Sequence, residues 1–156
     1  MDRLNLDREA LDRLDMFVKY VEITLSRLDN VKEQLNSNGL LYKLVEGLTF
    51  HEIYVSNLKK FLIGEIDWSP LTYTQCNFGK IYYSIDRSNI ENTYGKTAVS
   101  IFERIGYIHM SFHETVEECI KSKNNHEFKM LIIELTSKSR LLVDMMLKLL
   151  EMIPRY

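Results

Sequence analysis

The stretch 97–121, TAVSIFERIGYIHMSFHETVEECIK, decides the fold class. Phe102, Ile105, Phe112, Val116 and Ile120 fall on one face of an α-helix, the pattern of a segment that packs through a single apolar stripe. His109 sits inside that stripe and His113 follows one turn later. Side chains at i and i+4 are about 5–6 Å apart at Cβ, so two imidazoles can share one ion. Groups able to bind a metal therefore lie on, or one turn along from, a face that must be buried.

Three further segments carry the same period. Upstream, Leu4, Leu11, Leu14, Val18, Val21, Leu25, Leu28 and Leu35 form a heptad-like stripe, widened by Ala10, Phe17 and Val31. That helix reads equally as a coiled-coil seam or as one wall of a bundle, and Asn36-Ser37-Asn38-Gly39 is expected to end it. A second helix is expected over 40–63, with Leu41, Leu44, Leu48, Val55, Leu58 and Leu62 in its stripe and His51 in the gap. The stretch 64–70 breaks the period, 76–83 reads as a short helix, and the Asn- and Ser-rich 85–96 reads as a connection. Asn124 or Asn125 can cap a last helix carrying Phe128, Leu131, Leu135, Leu142, Met145 and Leu149, which Pro154 is expected to stop. The expected architecture is all-α: an antiparallel up-and-down bundle of four long helices plus one short helix that carries Cys76.

Composition agrees and excludes several classes. A chain of 156 residues with 46% hydrophobic and 27% charged residues has enough apolar surface for one core without a staple. Six Gly and two Pro are well under half the usual combined share of about 12%, so helices can run long. The net charge is −2 and the longest basic run is Lys59-Lys60, which argues against nucleic acid as a partner. The first residues are too acidic for a signal peptide, and Asp144, Lys148 and Glu151 interrupt the apolar C-terminal stretch, so no membrane segment is expected. Cys76 and Cys119 lie in unrelated contexts, which fits free thiols in a reducing cytoplasm.

Beside His109 and His113, His51 and Cys76 can complete a tetrahedral set for Zn²⁺, which takes imidazole and thiolate readily. Cys76 at the start of a short helix is expected to favour its thiolate. Taken singly, a histidine on a buried face is more often a hydrogen-bonded core residue than a ligand, and Cys119 reads as an inert apolar one. His126, beside a helix start, is expected at the surface or in a cap. Glu52 and Glu114, next to ligands in sequence, are candidate carboxylates to balance the charge of a bound ion.

In order and spacing these residues resemble the chemoreceptor zinc-binding (CZB) domain family, found on cytoplasmic bacterial chemoreceptors and some diguanylate cyclases. The family pattern is a helix-borne His, Cys-x-Phe/Leu-Gly-Lys/Arg-Trp, His-x-x-x-His on a long helix, and a final amphipathic helix containing Ser. Here it reads His51, Cys76-Asn77-Phe78-Gly79-Lys80, His109-x-x-x-His113 and Ser137-Lys138-Ser139-Arg140-Leu141-Leu142. Ile81 stands where the family has Trp, and the resemblance spans about 40–152. It implies a zinc-binding sensor domain of chemotaxis or cyclic-di-GMP type, reporting zinc, oxidant or both through His51, Cys76, His109 and His113. Its output domain or partner protein is not in this chain. The chain then divides into 1–36, a connecting or dimerising helix, and 37–156, the zinc-binding bundle.

Other chemistries lack their residues. A di-iron carboxylate bundle needs Glu three before His, and those positions are Leu48, Gly106, Met110 and Lys123. None of His51-Glu52, His113-Glu114 or His126-Glu127 is followed by the second His of a metalloprotease. Four protein ligands leave no open position for substrate, so no enzymatic activity is expected. The heptad spacing of the first helix suggests a homodimer. A metal-free bundle serving only interaction or dimerisation is the alternative.

Overall fold

The computed structural model describes residues 6–35, 39–122 and 124–152. Within them lie seven helices and no strand: α1 (Arg8–Lys32), α2 (Leu40–Thr49), α3 (His51–Leu62), α4 (Asn77–Tyr82), α5 (Arg87–Tyr94), α6 (Lys96–Lys121) and α7 (Asn125–Glu151). The all-α bundle is the fold the apolar periods imply. Asn36–Asn38 and Pro154, expected to end the first and last helices, lie outside the described residues, as does Leu4. Gly39 sits at the N-cap of α2.

Helix α1 buries Ala10, Leu14, Phe17, Val18, Val21, Thr24, Leu25 and Leu28, a face too broad for a two-helix seam. It packs on α7, α3 and α2, and so forms a wall of the bundle. Its start meets the start of α7, where the Asp7 amide donates to Asn125 Oδ1 and Lys129 pairs with Asp7 and Glu9. Its far end meets the later part of α7 through Arg27 and Asp144, so α1 and α7 run the same way. Lys59, near the end of α3, pairs with Asp15, early in α1, which sets α3 antiparallel to α1. The most extensive pairing is α6 on α7, joined across 122–124 and therefore antiparallel. Up-and-down alternation thus holds within each half, α1 to α3 and α6 to α7. Between the halves, 63–95 returns the chain along the bundle, so that α3 and α6 run parallel.

Two elements differ from the sequence expectation. The helix expected over 40–63 is interrupted at Phe50, whose φ of −64° and ψ of −13° stay right-handed while its neighbours switch hydrogen-bond register. Ile53 and Tyr54 both donate to Phe50 O, so the chain tightens over 50–53, the turn that contains His51. The supposed connection 85–96 holds α5. Asp86 caps it by accepting from the Ser88 amide at 2.9 Å, and Gly95 ends it at φ +93°, a conformation open to glycine without strain. This helix buries only Ile90, so its sequence shows no stripe. At the start of α7 it is Asn124 that caps, accepting from Glu127 N at 2.7 Å.

Because Ile90 is the single buried residue of α5, Ile90→Ala is expected to destabilise α5 by about 2–3 kcal/mol. Amide exchange should accelerate over 87–94 while α6 stays protected. Equal acceleration in α6 would mean that α5 is part of the global core.

Candidate metal centre

Helix α3 begins on His51, α4 is capped by Cys76, and α6 carries His109 and His113 on adjacent turns. All four are buried, and their donor atoms lie within 4.8 Å of one another. His109 Nε2 is central, at 3.1 Å from His51 Nε2, 3.2 Å from His113 Nε2 and 3.2 Å from Cys76 Sγ. Bonds near 2.0–2.1 Å to nitrogen and 2.3 Å to sulfur would set donors about 3.4–3.6 Å apart in a tetrahedron. The three contacts of His109 are slightly shorter than the edges of that cage, and all four donors lie close enough together to surround one ion.

Each donor is aimed by local structure. His113 Nδ1 donates to Leu71 O at 3.0 Å, which fixes the tautomer and leaves the Nε2 lone pair facing the cluster. Tyr54 Oη donates to the same carbonyl at 3.4 Å, and Trp68 packs edge-on against Tyr54 with centroids 5.1 Å apart. Phe78, fully buried, backs His109 with centroids 4.6 Å apart. Cys76 Sγ accepts from the Gly79 amide at 3.3 Å, as an N-cap does. A Cβ on Gly79 would lie 1.8 Å from Tyr73 O, so Gly79 in Cys-x-Phe-Gly is required by close backbone approach. Ile81, in place of Trp, packs toward Gly47.

The electrostatics oppose protonation of this cluster. Burial holds His51 down to about 3, helped by the neighbouring His113, and holds His113 down to about 4 against the opposing pull of Leu71 O. His109 is pushed lower still by burial and by its two neighbours. Burial also pushes the Cys76 thiol up, outweighing the Gly79 and Phe78 amides and Lys80. The expected thiolate is therefore not a gift of the helix start; without a cation, burial wins. Neutral imidazoles with converging lone pairs and a desolvated thiol make a donor set that a divalent cation would complete, losing the thiol proton as it binds. His109 Nδ1 is buried with no partner among the described residues.

Several residues stand elsewhere than expected. Glu52 and Glu114 are exposed and touch no member of the cluster, so the outer contact is the Leu71 carbonyl. A main-chain acceptor leaves no mark in side-chain identity. His126 is exposed, as expected for a residue beside a helix start. Cys119 is wholly buried and its thiol is pushed up to about 12 by burial, with Glu118 and Glu134 adding to the shift. Gly106 was not singled out in the sequence, yet a Cβ there would lie 2.2 Å from Tyr82 Oη, which donates to Phe102 O at 2.7 Å.

The histidine shifts give the metal-free protein a pH dependence. Above about pH 6.5 neither state binds these protons; below it the unfolded chain takes them up and the folded one does not. Stability is therefore expected to fall between pH 7 and 5 by up to about 1.4 kcal/mol per pH unit for each histidine. Urea midpoints of chelator-treated protein across that range test this, and a flat profile would show that the imidazoles are not buried as neutral bases.

Residues 51–120 match the family model described as chemoreceptor zinc-binding domain. No curated protein and no solved structure matches the chain. The matched interval opens on His51, contains Cys76, His109 and His113, and ends in α6; α1, α2 and α7 lie outside it. Over residues 51–120, just under half of its length, the chain is therefore similar to the chemoreceptor zinc-binding domain family.

Proposed function

We propose that the chain is a zinc-binding sensor of bacterial signalling, of chemotaxis or cyclic-di-GMP type, whose ion is held by His51, Cys76, His109 and His113. The observation that supports it best is the convergence of four buried donor atoms within 4.8 Å in a segment of this family. Four protein donors fill a tetrahedral ion, which favours a regulatory role over catalysis. Zn²⁺ suits three imidazoles and a thiolate better than Mg²⁺ or Ca²⁺, which prefer oxygen. The thiolate is also the donor that oxidants attack, and sulfenic acid ligates zinc poorly, so the same site can report zinc and oxidant.

Free cysteines fit a cytoplasmic location, and no helix among the described residues is long and apolar enough to cross a membrane. For a homodimer, the α1 stripe is spent inside the bundle. The large apolar residues that α1 and α7 still expose are Met16, Ile23, Met130, Ile133 and Leu141, and these offer the surface on which a twin or an output domain would sit.

Purification without added metal is expected to yield about one zinc per chain by elemental analysis, lost in His109→Ala. No zinc under zinc-replete conditions would favour the metal-free interaction module. Under peroxide, Cys76→Ser is expected to abolish zinc release while Cys119→Ser preserves it. Mass spectrometry that finds Cys119 oxidised first would overturn the redox part.

A further inference from the structure

Resting on that reading of the site, we propose that an uncharged portal between the start of α3 and the loop 67–77 gives access to Cys76, admitting small neutral thiol reagents and excluding charged ones. A cavity of about 140 Å³ is lined by Phe50, Ile53, Asn57, Trp68, Leu71 and Asn77, and His51 and Cys76 reach it from the cluster side. His51 and Cys76 are the most exposed members of the cluster, at 6% and 4% against 3% for His113 and 0% for His109. The outer lip is apolar, with Phe50, Ile53 and Leu71 all exposed. Among the described residues, no Lys, Arg, Asp or Glu lines the cavity.

The lip is a built feature. Phe50 is the residue at which the α2–α3 helix is interrupted, and Leu71 is tied through its carbonyl to His113 and Tyr54. Trp68 is wedged against Tyr54 and Phe61, with centroids 5.1 and 6.2 Å away. An ion entering this cavity would give up hydration with no opposite charge to replace it, whereas a neutral molecule of a few atoms loses little and can hydrogen-bond to Asn57 and Asn77. Water takes about 30 Å³ in the liquid, so the space suits reagents of peroxide size. With hydrogen peroxide the Cys76 sulfur gives up its proton and attacks one oxygen, the O–O bond breaks, and hydroxide leaves with the electron pair and takes up a proton to become water, giving the sulfenic acid.

The test compares three thiosulfonates on the full chain, read at Cys76 by mass spectrometry: methyl methanethiosulfonate, its anionic sulfonatoethyl analogue and its cationic trimethylammonioethyl analogue. In each the thiolate attacks the sulfenyl sulfur, a disulfide to Cys76 forms, and methanesulfinate leaves with the electron pair of the broken S–S bond. Rates are normalised to the urea-unfolded chain. Both charged reagents are expected to be slower than the neutral one by about tenfold or more. Ile53→Trp should slow the neutral reagent, and Leu71→Ala, which keeps the carbonyl, should speed the charged ones. Equal normalised rates, indifference to both substitutions, or no reaction of Cys76 with any reagent would overturn the portal. Zinc content and the effect of added zinc are measured on the same samples. Bound zinc should slow all three reagents in common and leave their ratio intact; absence of zinc would refute the metal reading while the ratio still judges the portal.

Discussion

The structure depends on one unfavourable arrangement: three imidazole nitrogens and a sulfur face each other inside an apolar core. His109 Nε2 has three electron-rich neighbours within 3.2 Å, and no proton placement satisfies them all. Burial holds the histidines neutral and the thiol protonated, so the cluster cannot relieve itself by becoming charged. A divalent cation held among the four donors would satisfy them together. Its surroundings resist collapse, because Phe78 and Phe112 are fully packed around it and the Leu71 carbonyl holds His113 in place.

The donors also come from elements with different packing partners. Helix α3 rests on α1, α4 on α2, and α6 on α7 and α5. The cluster is where these pairs are tied together, and it lies where the chain has returned through 63–95 to set α3 parallel to α6. That parallel register places His51 by His109 and Tyr54 by His113, so the stripes of two helices distant in sequence meet at matching depth.

Much of this was legible from the sequence for a definite reason. The long helices announce themselves because each buries one face, and His51 and His109 stand out because they occupy apolar positions. The four candidate donors do converge. What stayed hidden leaves no periodic trace. Helix α5 buries one residue and is made by its caps. The interruption at Phe50 is a change of hydrogen-bond register, with no Gly or Pro to mark it. Carboxylates beside ligands in sequence point outward, and the true outer partner is a backbone carbonyl 42 positions away from His113. The α1 stripe reads equally as a bundle wall or a coiled-coil seam, and the burial of both Phe17 and Val18 decides for the wall.

Cys76 joins metal chemistry to secondary structure through one atom. Its Sγ faces His109 Nε2 and also accepts the Gly79 amide that begins α4. A helix of six residues has little cooperativity of its own, so its stability comes from its cap and from Phe78, which packs on His109. A change at the sulfur that removes its lone pairs therefore acts on the cap, and any displacement of His109 acts on Phe78. The histidines are held otherwise, by long helices with extensive packing. The same perturbation at each donor consequently has unequal effects, greatest at α4, and through α4 it reaches α2, where Gly47 leaves no room between that helix and the backbone of Phe78.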